Sequence, residues 1–211
     1  MNNVQNSIMR RLKAETRDLH SHAESRSLQR AIASGSVDRD AFTSYLGQLY
    51  HVHRALEAAL RESTDRYPEI AAVATAERMH LHDVERDLGF FEVDRDHIEA
   101  GEATASFVSQ VEQTRESNPI ALLGALYVLE GSTNGGRFLA RTLRESWDLD
   151  GEGLSYFDPY GEEQPQRWAA FKRDMDAAGF DADQENSILE MARTTFLAIA
   201  QIADEVAGIG D

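Results

Sequence analysis

Apolar residues recur at the spacing of an α-helix along nearly the whole chain, and this pattern limits the possible folds more than any other feature. In residues 39–64 the apolar positions are Phe42, Tyr45, Leu46, Leu49, Val52, Leu56 and Leu60. No segment shows the two-residue alternation that is typical of a half-buried strand. The sequence therefore predicts an all-α protein in which long helices pack around one core.

Prolines, glycines and a candidate capping residue, Asp38, indicate where the helices begin and end. We expect helices at residues 6–33, 39–64, 68–88, 101–116, 118–147, 166–178 and 182–207. The segment 148–165 is rich in Gly, Pro and Asp and is predicted to be a loop. The 211 residues contain no internal repeat or linker, so we expect a single domain spanning 1–211.

Composition and charge exclude several classes of function. The chain has no cysteine, which excludes disulfides, zinc–cysteine sites, iron–sulfur clusters and thiol catalysis. A net charge of −16 argues against a nucleic-acid partner. The N-terminal segment lacks the apolar core of a signal peptide, and the longest apolar run, 120–129, is too short to cross a membrane. We therefore expect a cytoplasmic protein without a membrane partner.

A cluster of polar residues lies on one flank of the first predicted helix: Lys13, Arg17, His20 and Glu24. His20 and Glu24 are one turn apart, so the carboxylate can accept a hydrogen bond from the imidazole. The other ring nitrogen is then free to bind a metal ion. Lys13 and Arg17 could bind an anionic group of the same ligand. The alternative is a solvated helix face with an incidental ion pair.

Three glycines interrupt the most apolar helix, at Gly131, Gly135 and Gly136. Each glycine inside a helix costs about 1 kcal/mol relative to alanine. Missing side chains let a flat ligand approach the backbone and let the helix bend, although close packing between helices would also explain them. Ser132 adds a hydroxyl that could orient water or a bound diatomic ligand. A planar iron porphyrin would fit between these glycines and His20.

Five motifs resemble those of the heme oxygenase family, most closely its bacterial branch. In chain order they are LKAETRDLHSHAE (12–24), YHVHRALE (50–57), LYVLEGSTNGG (126–136), AFKRDM (170–175) and LEMARTTFLAI (189–199). The resemblance covers nearly the whole chain. It implies a single-domain helical bundle with heme between the first helix and a glycine-kinked distal helix.

The resemblance also implies a reaction and an iron ligand. Heme, as both cofactor and substrate, would be opened oxidatively to biliverdin, with dioxygen as co-substrate and release of iron and carbon monoxide. His20 would be the iron ligand, and Glu24 would orient it. The heme propionates would lie beside Lys13, Arg17 and Lys172.

On the distal side, the resemblance places four residues over the heme: Gly131, Ser132, Gly135 and Gly136. Some family members have an aspartate where this chain has Ser132. His53, on the second helix, is a candidate to supply part of the missing hydrogen-bond network, although it could equally be a partly exposed helix histidine.

Electrons must come from an external donor, such as a ferredoxin, a flavodoxin or a reductase. Such donors are often acidic, so we expect docking on a basic patch formed by Arg10, Arg11, Lys13 and Arg17. The subgroup resemblance favours a bacteriophytochrome as the recipient of biliverdin.

Alternatives from other classes stay open at this stage. One is a heme-binding protein that stores heme without degrading it. Another is a di-iron carboxylate oxidase, which requires two Glu-x-x-His pairs; the sequence offers one clear pair, Glu77 and His80. The third is a helical bundle with no catalytic site.

Overall fold

The computed structural model describes residues 7–208, and all regular secondary structure in this range is helical. The α-helices are α1 (Ile8–Glu15), α2 (Arg17–Glu24), α3 (Ser27–Ser34), α4 (Arg39–Ser63), α5 (Pro68–Val73), α6 (Leu81–Phe90), α7 (Glu102–Ser117), α8 (Leu122–Trp147), α9 (Gln164–Ala177) and α10 (Ala182–Val206). The predicted all-α, single-domain architecture is confirmed. The predicted domain ends, residues 1 and 211, lie outside the described residues.

No helix within residues 7–208 is both long enough and apolar enough to cross a membrane. The predicted bounds of the second, fourth and seventh helices agree with α4, α7 and α10 to within about two residues. Asp38 caps α4 as expected, because its carboxylate accepts a hydrogen bond from the backbone N–H of Ala41 at 2.8 Å.

The first predicted helix, 6–33, is wrong as a single element, because the structure divides it into α1, α2 and α3. Two hydroxyl side chains lie at the divisions. Thr16 donates from Oγ1 to the carbonyl of Leu12 at 2.7 Å, and Ser25 donates from Oγ to the carbonyl of His22 at 2.7 Å. Such side-chain bonds compete with the helical backbone bonds and favour a change of direction.

The third predicted helix, 68–88, is also divided. Between α5 and α6 the chain forms a short 3₁₀ turn at Ala76–Arg78, flanked by extended backbone at Thr75 and Met79. The guanidinium of Arg78 donates to the carbonyl of Val73 at 2.6 Å, at the end of α5, where the backbone N–H of Thr75 also donates to it. This side-chain cap is not visible as a pattern in the sequence.

Helix α10 lies at the centre of the fold and packs against both α2 and α8. The backbones of α8 and α10 come unusually close at Gly124. A Cβ atom on Gly124 would lie 2.0 Å from the carbonyl oxygen of Ile188 and 2.8 Å from the backbone nitrogen of Ala192. Only glycine permits this approach. Because α10 contacts both helices, it sets the spacing between α2 and α8.

We predict that Gly124→Ala destabilises the protein by about 3 kcal/mol, because the added methyl group must push two buried backbones apart. Thermal unfolding should show a melting temperature lower by roughly 6–12 °C. Gly89→Ala in α6 is the matched control, since a Cβ there meets no atom within 4 Å. It should leave stability unchanged or raise it by up to about 1 kcal/mol. Equal melting temperatures for the two variants would contradict the close contact.

Candidate functional site

Helices α2 and α8 form two walls that meet at one point. Thr16, at the junction of α1 and α2, interacts with the side chain of Tyr127 on α8. From Tyr127, one stripe of α8 continues through Gly131, Gly135 and Phe138, which follow by four, eight and eleven residues. The contact therefore turns the glycine stripe toward α2. We call the space between the two walls the slot.

On the α2 wall, His20 follows Thr16 by one turn, and its side chain is 53% exposed. Its Nδ1 lies 3.2 Å from a carboxylate oxygen of Glu24, as the sequence spacing predicts. The edge of the ring contacts Phe196 of α10, with ring centroids 5.6 Å apart. No group among residues 7–208 hydrogen-bonds its Nε2. The Nε2 lone pair is therefore available to a metal ion.

On the α8 wall, the structure separates the three glycines. A Cβ on Gly135 would meet no atom within 4 Å, and one on Gly131 would meet only Trp168, at 3.6 Å. A Cβ on Gly136 would lie 2.0 Å from the carbonyl oxygen of Phe157. Gly131 and Gly135 thus border open space, whereas Gly136 packs against the loop that precedes α9. The expected kink is not accompanied by any break in α8, which is helical through all three glycines.

Two large apolar side chains near these walls are exposed to solvent. Phe138 extends the glycine stripe of α8 and is 66% exposed, and Leu197, next to Phe196 on α10, is 44% exposed. A contiguous patch of exposed apolar groups marks a binding surface, whereas single ones are common on any protein. Together with the open glycines and the free Nε2 of His20, they suit a flat apolar ligand that carries a metal ion. The sequence analysis did not select Phe138 or Leu197, because both fit an ordinary helical pattern.

The two lysines of the chain lie at one edge of the slot. Helices α1 and α9 pack together, and the backbone N–H of Met9 donates to the carboxylate of Asp176 at 3.2 Å. Lys13 is one turn after Met9, and Lys172 is one turn before Asp176. Trp168, a further turn back from Lys172, contacts Tyr127 with ring centroids 6.1 Å apart. The two helices therefore run antiparallel at this contact. Each lysine lies about one turn from Tyr127's partner on its own helix, which is Thr16 at the end of α1 and Trp168 on α9.

Neither lysine has a carboxylate partner among the described residues, although most arginines there are ion-paired. Both side chains are exposed, and the Nζ of Lys172 lies 6.0 Å from the centre of the Trp168 ring. Arg17 is exposed and pairs only with its neighbour Asp18, at 3.5 Å. These three cations are therefore available to an anionic ligand group.

Behind α8, a chain of polar side chains, buried at His53 and Tyr156, leads to the exposed Ser132. The Nδ1 of His53 lies 3.1 Å from Glu57 Oε1, and its Nε2 lies 3.1 Å from the Tyr156 hydroxyl. The Tyr156 hydroxyl in turn interacts with the side chain of Ser132. Burial lowers the pKa of His53 and raises that of Tyr156 well above its usual range, so both are uncharged at neutral pH.

His53 is buried, and its possible interpretation as a partly exposed helix residue is wrong. Tyr156 was missed from the sequence because it lies in a segment interpreted only as a loop. The adjacent aromatic pair Tyr156-Phe157 was the available signal, since such a pair indicates that a loop packs on a core. Asp87 holds this loop in place, because its carboxylate accepts from the backbone N–H groups of Ser155 and Tyr156, both at 2.8 Å.

A second buried cluster fixes the residue that precedes Gly131. His80 lies 3.1 Å from Asp83 and 3.2 Å from Glu130, and the Tyr160 hydroxyl contacts both His80 and Glu130 at 3.0 Å. Burial opposes the charge of the imidazole, but the hydrogen bonds to Asp83 and Glu130 outweigh it and raise the pKa of His80 to about 9. This cluster joins α6, α8 and the loop before α9.

The di-iron alternative loses its only candidate pair in this structure. The side chain of Glu77 pairs with Arg167, whereas His80 belongs to the buried cluster. Throughout residues 7–208, no three His, Asp or Glu side chains are grouped so that they could hold a metal ion.

Comparison with known proteins agrees with this geometry. The family model described as heme oxygenase matches residues 6–205. The chain belongs to the heme oxygenase family. It is an oxidoreductase that degrades heme, and heme is both its substrate and its cofactor.

Relatives and solved structures match over most of their length. The heme oxygenase of Takifugu rubripes is 28% identical, over 94% of this chain and 74% of that protein. Heme oxygenase 1 of Homo sapiens is 27% identical, over 92% of this chain and 70% of that protein. Heme oxygenase-1 of Synechocystis, solved in complex with heme, has a TM-score of 0.88 at 20% identity and covers 96% of this chain and 93% of its own. The Leptospira interrogans enzyme also has a TM-score of 0.88, at 21% identity, and covers 95% and 100%.

We predict that the His80 cluster makes the stability of this heme oxygenase depend on pH. An unfolded histidine titrates near 6.5, and the folded His80 titrates near 9. The stabilisation is complete below pH 6.5 and is lost as the pH rises through 9, because the unfolded chain releases its proton first. The loss is roughly 3 kcal/mol, which corresponds to a melting temperature lower by about 6–12 °C.

Melting curves of the wild type and of Glu130→Gln between pH 6 and pH 9.5 test this prediction. The wild type should lose stability with rising pH more steeply than Glu130→Gln. Asp94→Asn is the control, because Asp94 pairs with an exposed histidine, His97, and should not alter the slope. Parallel pH profiles for the wild type and Glu130→Gln would contradict the assignment.

Proposed function

We propose that this heme oxygenase opens heme to biliverdin in the slot between α2 and α8, with His20 as the iron ligand. The observation that carries the proposal is the half-exposed imidazole of His20, whose Nδ1 is held by Glu24 and whose Nε2 has no partner among residues 7–208. The carboxylate keeps the proton on Nδ1, so the lone pair of Nε2 is directed away from it. Heme supplies the reactive iron and the ring that is oxidised, with release of iron and carbon monoxide.

On the α8 wall, Gly131 and Gly135 allow the heme ring to approach the helix backbone closely. A ring and a dioxygen molecule need space directly against the α8 backbone, and a side chain at either glycine would fill it. Gly136 contributes indirectly, because it lets α8 pack against the carbonyl of Phe157. The position of this loop in turn sets the position of Tyr156.

Lys13, Arg17 and Lys172 bind the two propionates in this proposal. The support is their exposure, their lack of strong carboxylate partners and the common edge to which the α1–α9 contact brings the lysines. By fixing the propionates, these cations orient the ring in its plane. That orientation decides which edge of the ring faces the distal residues.

Ser132 and His53 supply the distal hydrogen bonds. Ser132 donates from Oγ to the carbonyl of Leu129 at 2.6 Å, so its oxygen can accept the proton of the Tyr156 hydroxyl. His53 lies behind Tyr156 and does not reach the slot directly. We therefore assign Ser132 the contact with bound oxygen or water, and His53 a role through Tyr156.

Electrons come from an external donor, a ferredoxin, a flavodoxin or a reductase. The basic docking patch predicted from the sequence is weaker than expected at Arg11, which is bonded to Glu185 at 2.5 Å and Asn186 at 2.9 Å. Lys13 and Arg17 are the better candidates to meet an acidic donor. Supply of biliverdin to a bacteriophytochrome and a cytoplasmic location stay predictions from the sequence.

We predict that His20→Ala abolishes biliverdin formation and weakens hemin binding by about tenfold or more. Titration of the apo protein with hemin, followed by visible absorption, measures the affinity. Added imidazole should restore the absorption spectrum of the wild type. The control is His22→Ala, on the same exposed helix, which should bind hemin normally. Normal hemin binding and turnover in His20→Ala would refute the assignment.

We predict that Gly135→Ala and Gly136→Ala affect different properties. Gly135→Ala should fold, with stability unchanged or up to about 1 kcal/mol higher, but its methyl group should hinder heme and dioxygen in the slot. Gly136→Ala should lower the melting temperature, because its methyl group overlaps the Phe157 carbonyl. Melting curves of the apo proteins and hemin-loaded turnover separate the effects. A stable Gly135→Ala variant with normal turnover would argue against this wall of the slot.

A further inference from the structure

A second opening lies at the surface, between α4 and the segment 74–85, and has a volume of about 450 Å³. The residues around it include Arg61, Met79, His82 and Glu85. None of the residues that form the walls of the slot lines this pocket. Glu57 also lines it, although the Glu57 side chain is almost completely buried. The pocket therefore meets the protein interior at a carboxylate.

Glu57 is the outer end of the chain of polar side chains that leads to Ser132. One oxygen, Oε1, accepts a hydrogen bond from the backbone N–H of Leu81 at 2.7 Å and lies 3.1 Å from His53 Nδ1. Beyond His53, the Tyr156 hydroxyl and the Ser132 side chain continue the connection. The first two links are hydrogen bonds, and at the last one the Tyr156 hydroxyl interacts with Ser132 on the α8 wall of the slot.

We propose that this pocket is a proton inlet, and that protons pass from Glu57 through His53 and Tyr156 to Ser132 during turnover. The inference rests on the distal roles proposed above for Ser132 and His53. It adds the point at which protons enter the protein and the direction in which they move. It makes Glu57 a positioning residue that acts through His53 and does not touch heme.

Heme degradation needs a supply of protons. Externally delivered electrons reduce dioxygen, and each oxygen atom that leaves as water takes up two electrons and two protons. A flat apolar ligand that fills the slot excludes bulk water from its own face. A proton source that reaches the slot from behind α8 avoids this obstruction.

The transfers balance at each atom. A protonated Glu57 gives its proton to Nδ1 of His53, and the N–H bond at Nε2 breaks as its proton moves to the Tyr156 oxygen. The original Tyr156 proton moves to Ser132 Oγ, and the Ser132 hydroxyl turns away from the Leu129 carbonyl as its own proton enters the slot. A hydronium ion from bulk solvent, reaching the surface pocket, then protonates Glu57 again and becomes water. One bond forms for each that breaks, and no oxidant or reductant is required.

The surroundings of the imidazole suit this task. The charged and titratable groups that face His53 are Glu57 on its own helix, His80 and Asp83 at the start of α6, and Tyr156 in the loop. Hydroxyl and imidazole groups can each donate or accept, so the connection has no obligatory direction at rest. The direction is set by consumption of protons in the slot.

The test is biliverdin formation by the hemin-loaded Glu57→Gln variant. The amide oxygen still accepts from Leu81 N–H, so the variant should fold and bind hemin normally, but it has no acidic proton. We expect a rate about tenfold lower, limited by proton supply, with a changed pH profile. Glu85→Gln is the matched control, because Glu85 lines the same pocket but pairs with Arg95, and should keep the wild-type rate.

Chemical rescue distinguishes proton supply from structure. In Glu57→Ala, formate added to the buffer can occupy the shortened position through the open pocket and should restore part of the rate, whereas chloride at equal ionic strength should not. If Glu57→Ala does not fold, ¹⁵N NMR of the apo Glu57→Gln protein replaces this test. The His53 nitrogens should then show an altered distribution of the proton between Nδ1 and Nε2.

The outcomes separate the inlet from the distal roles. A wild-type rate and pH profile in Glu57→Gln, together with a slow His53→Asn variant, would overturn the inlet and leave the role of His53 standing. Normal rates in both variants would overturn both. A rate loss in a folded Glu57→Ala protein that formate does not restore would assign Glu57 a structural role only. Should that protein not fold, an unchanged His53 ¹⁵N pattern in Glu57→Gln would lead to the same conclusion.

Discussion

The backbone contact between α8 and α10 at Gly124 is the constraint on which the site depends. Since α10 also packs against α2, this contact fixes the distance between the two walls of the slot. Thr16, one turn before His20, interacts with Tyr127, one turn before Gly131, and so joins the two walls at one end. The slot is therefore set by contacts outside it, and its own residues are free to stay exposed.

Helix α8 separates two different environments. One face is apolar and open, with Gly135 and Phe138 directed into unfilled space. The other carries Glu130, which is buried and bonded to His80 and Tyr160. Burying such a carboxylate is unfavourable unless it is hydrogen-bonded, as it is here. The polar side thus holds α8 in place, and the apolar side stays open.

Local patterns in the sequence were enough to predict the helical class, the Asp38 cap and the pairing of His20 with Glu24, because each depends on residues within one or two turns. The divisions at Thr16 and near Arg78 were missed although the bonds there are local, because the bond that Thr16 makes to the carbonyl four residues earlier also occurs inside an unbroken helix, at Thr195. A distant contact separates Gly136 from its neighbours: its partner, the Phe157 carbonyl, is 21 residues away in the chain. For Tyr156, the adjacent aromatic pair Tyr156-Phe157 indicates only that the loop packs on the core, and nothing local indicates that its hydroxyl contacts His53.

The polar clusters also explain why the loop before α9 is ordered despite its glycines and proline. Asp87 binds two of its backbone N–H groups, Tyr156 bonds to His53, and Tyr160 bonds to Glu130. Each anchor comes from a helix, α4, α6 or α8, that also contributes to one of the two clusters. A loop held in this way keeps the Tyr156 hydroxyl at a fixed distance from Ser132. Proton transfer depends on such fixed distances, so the distal roles proposed for Ser132 and His53 require this loop to be ordered.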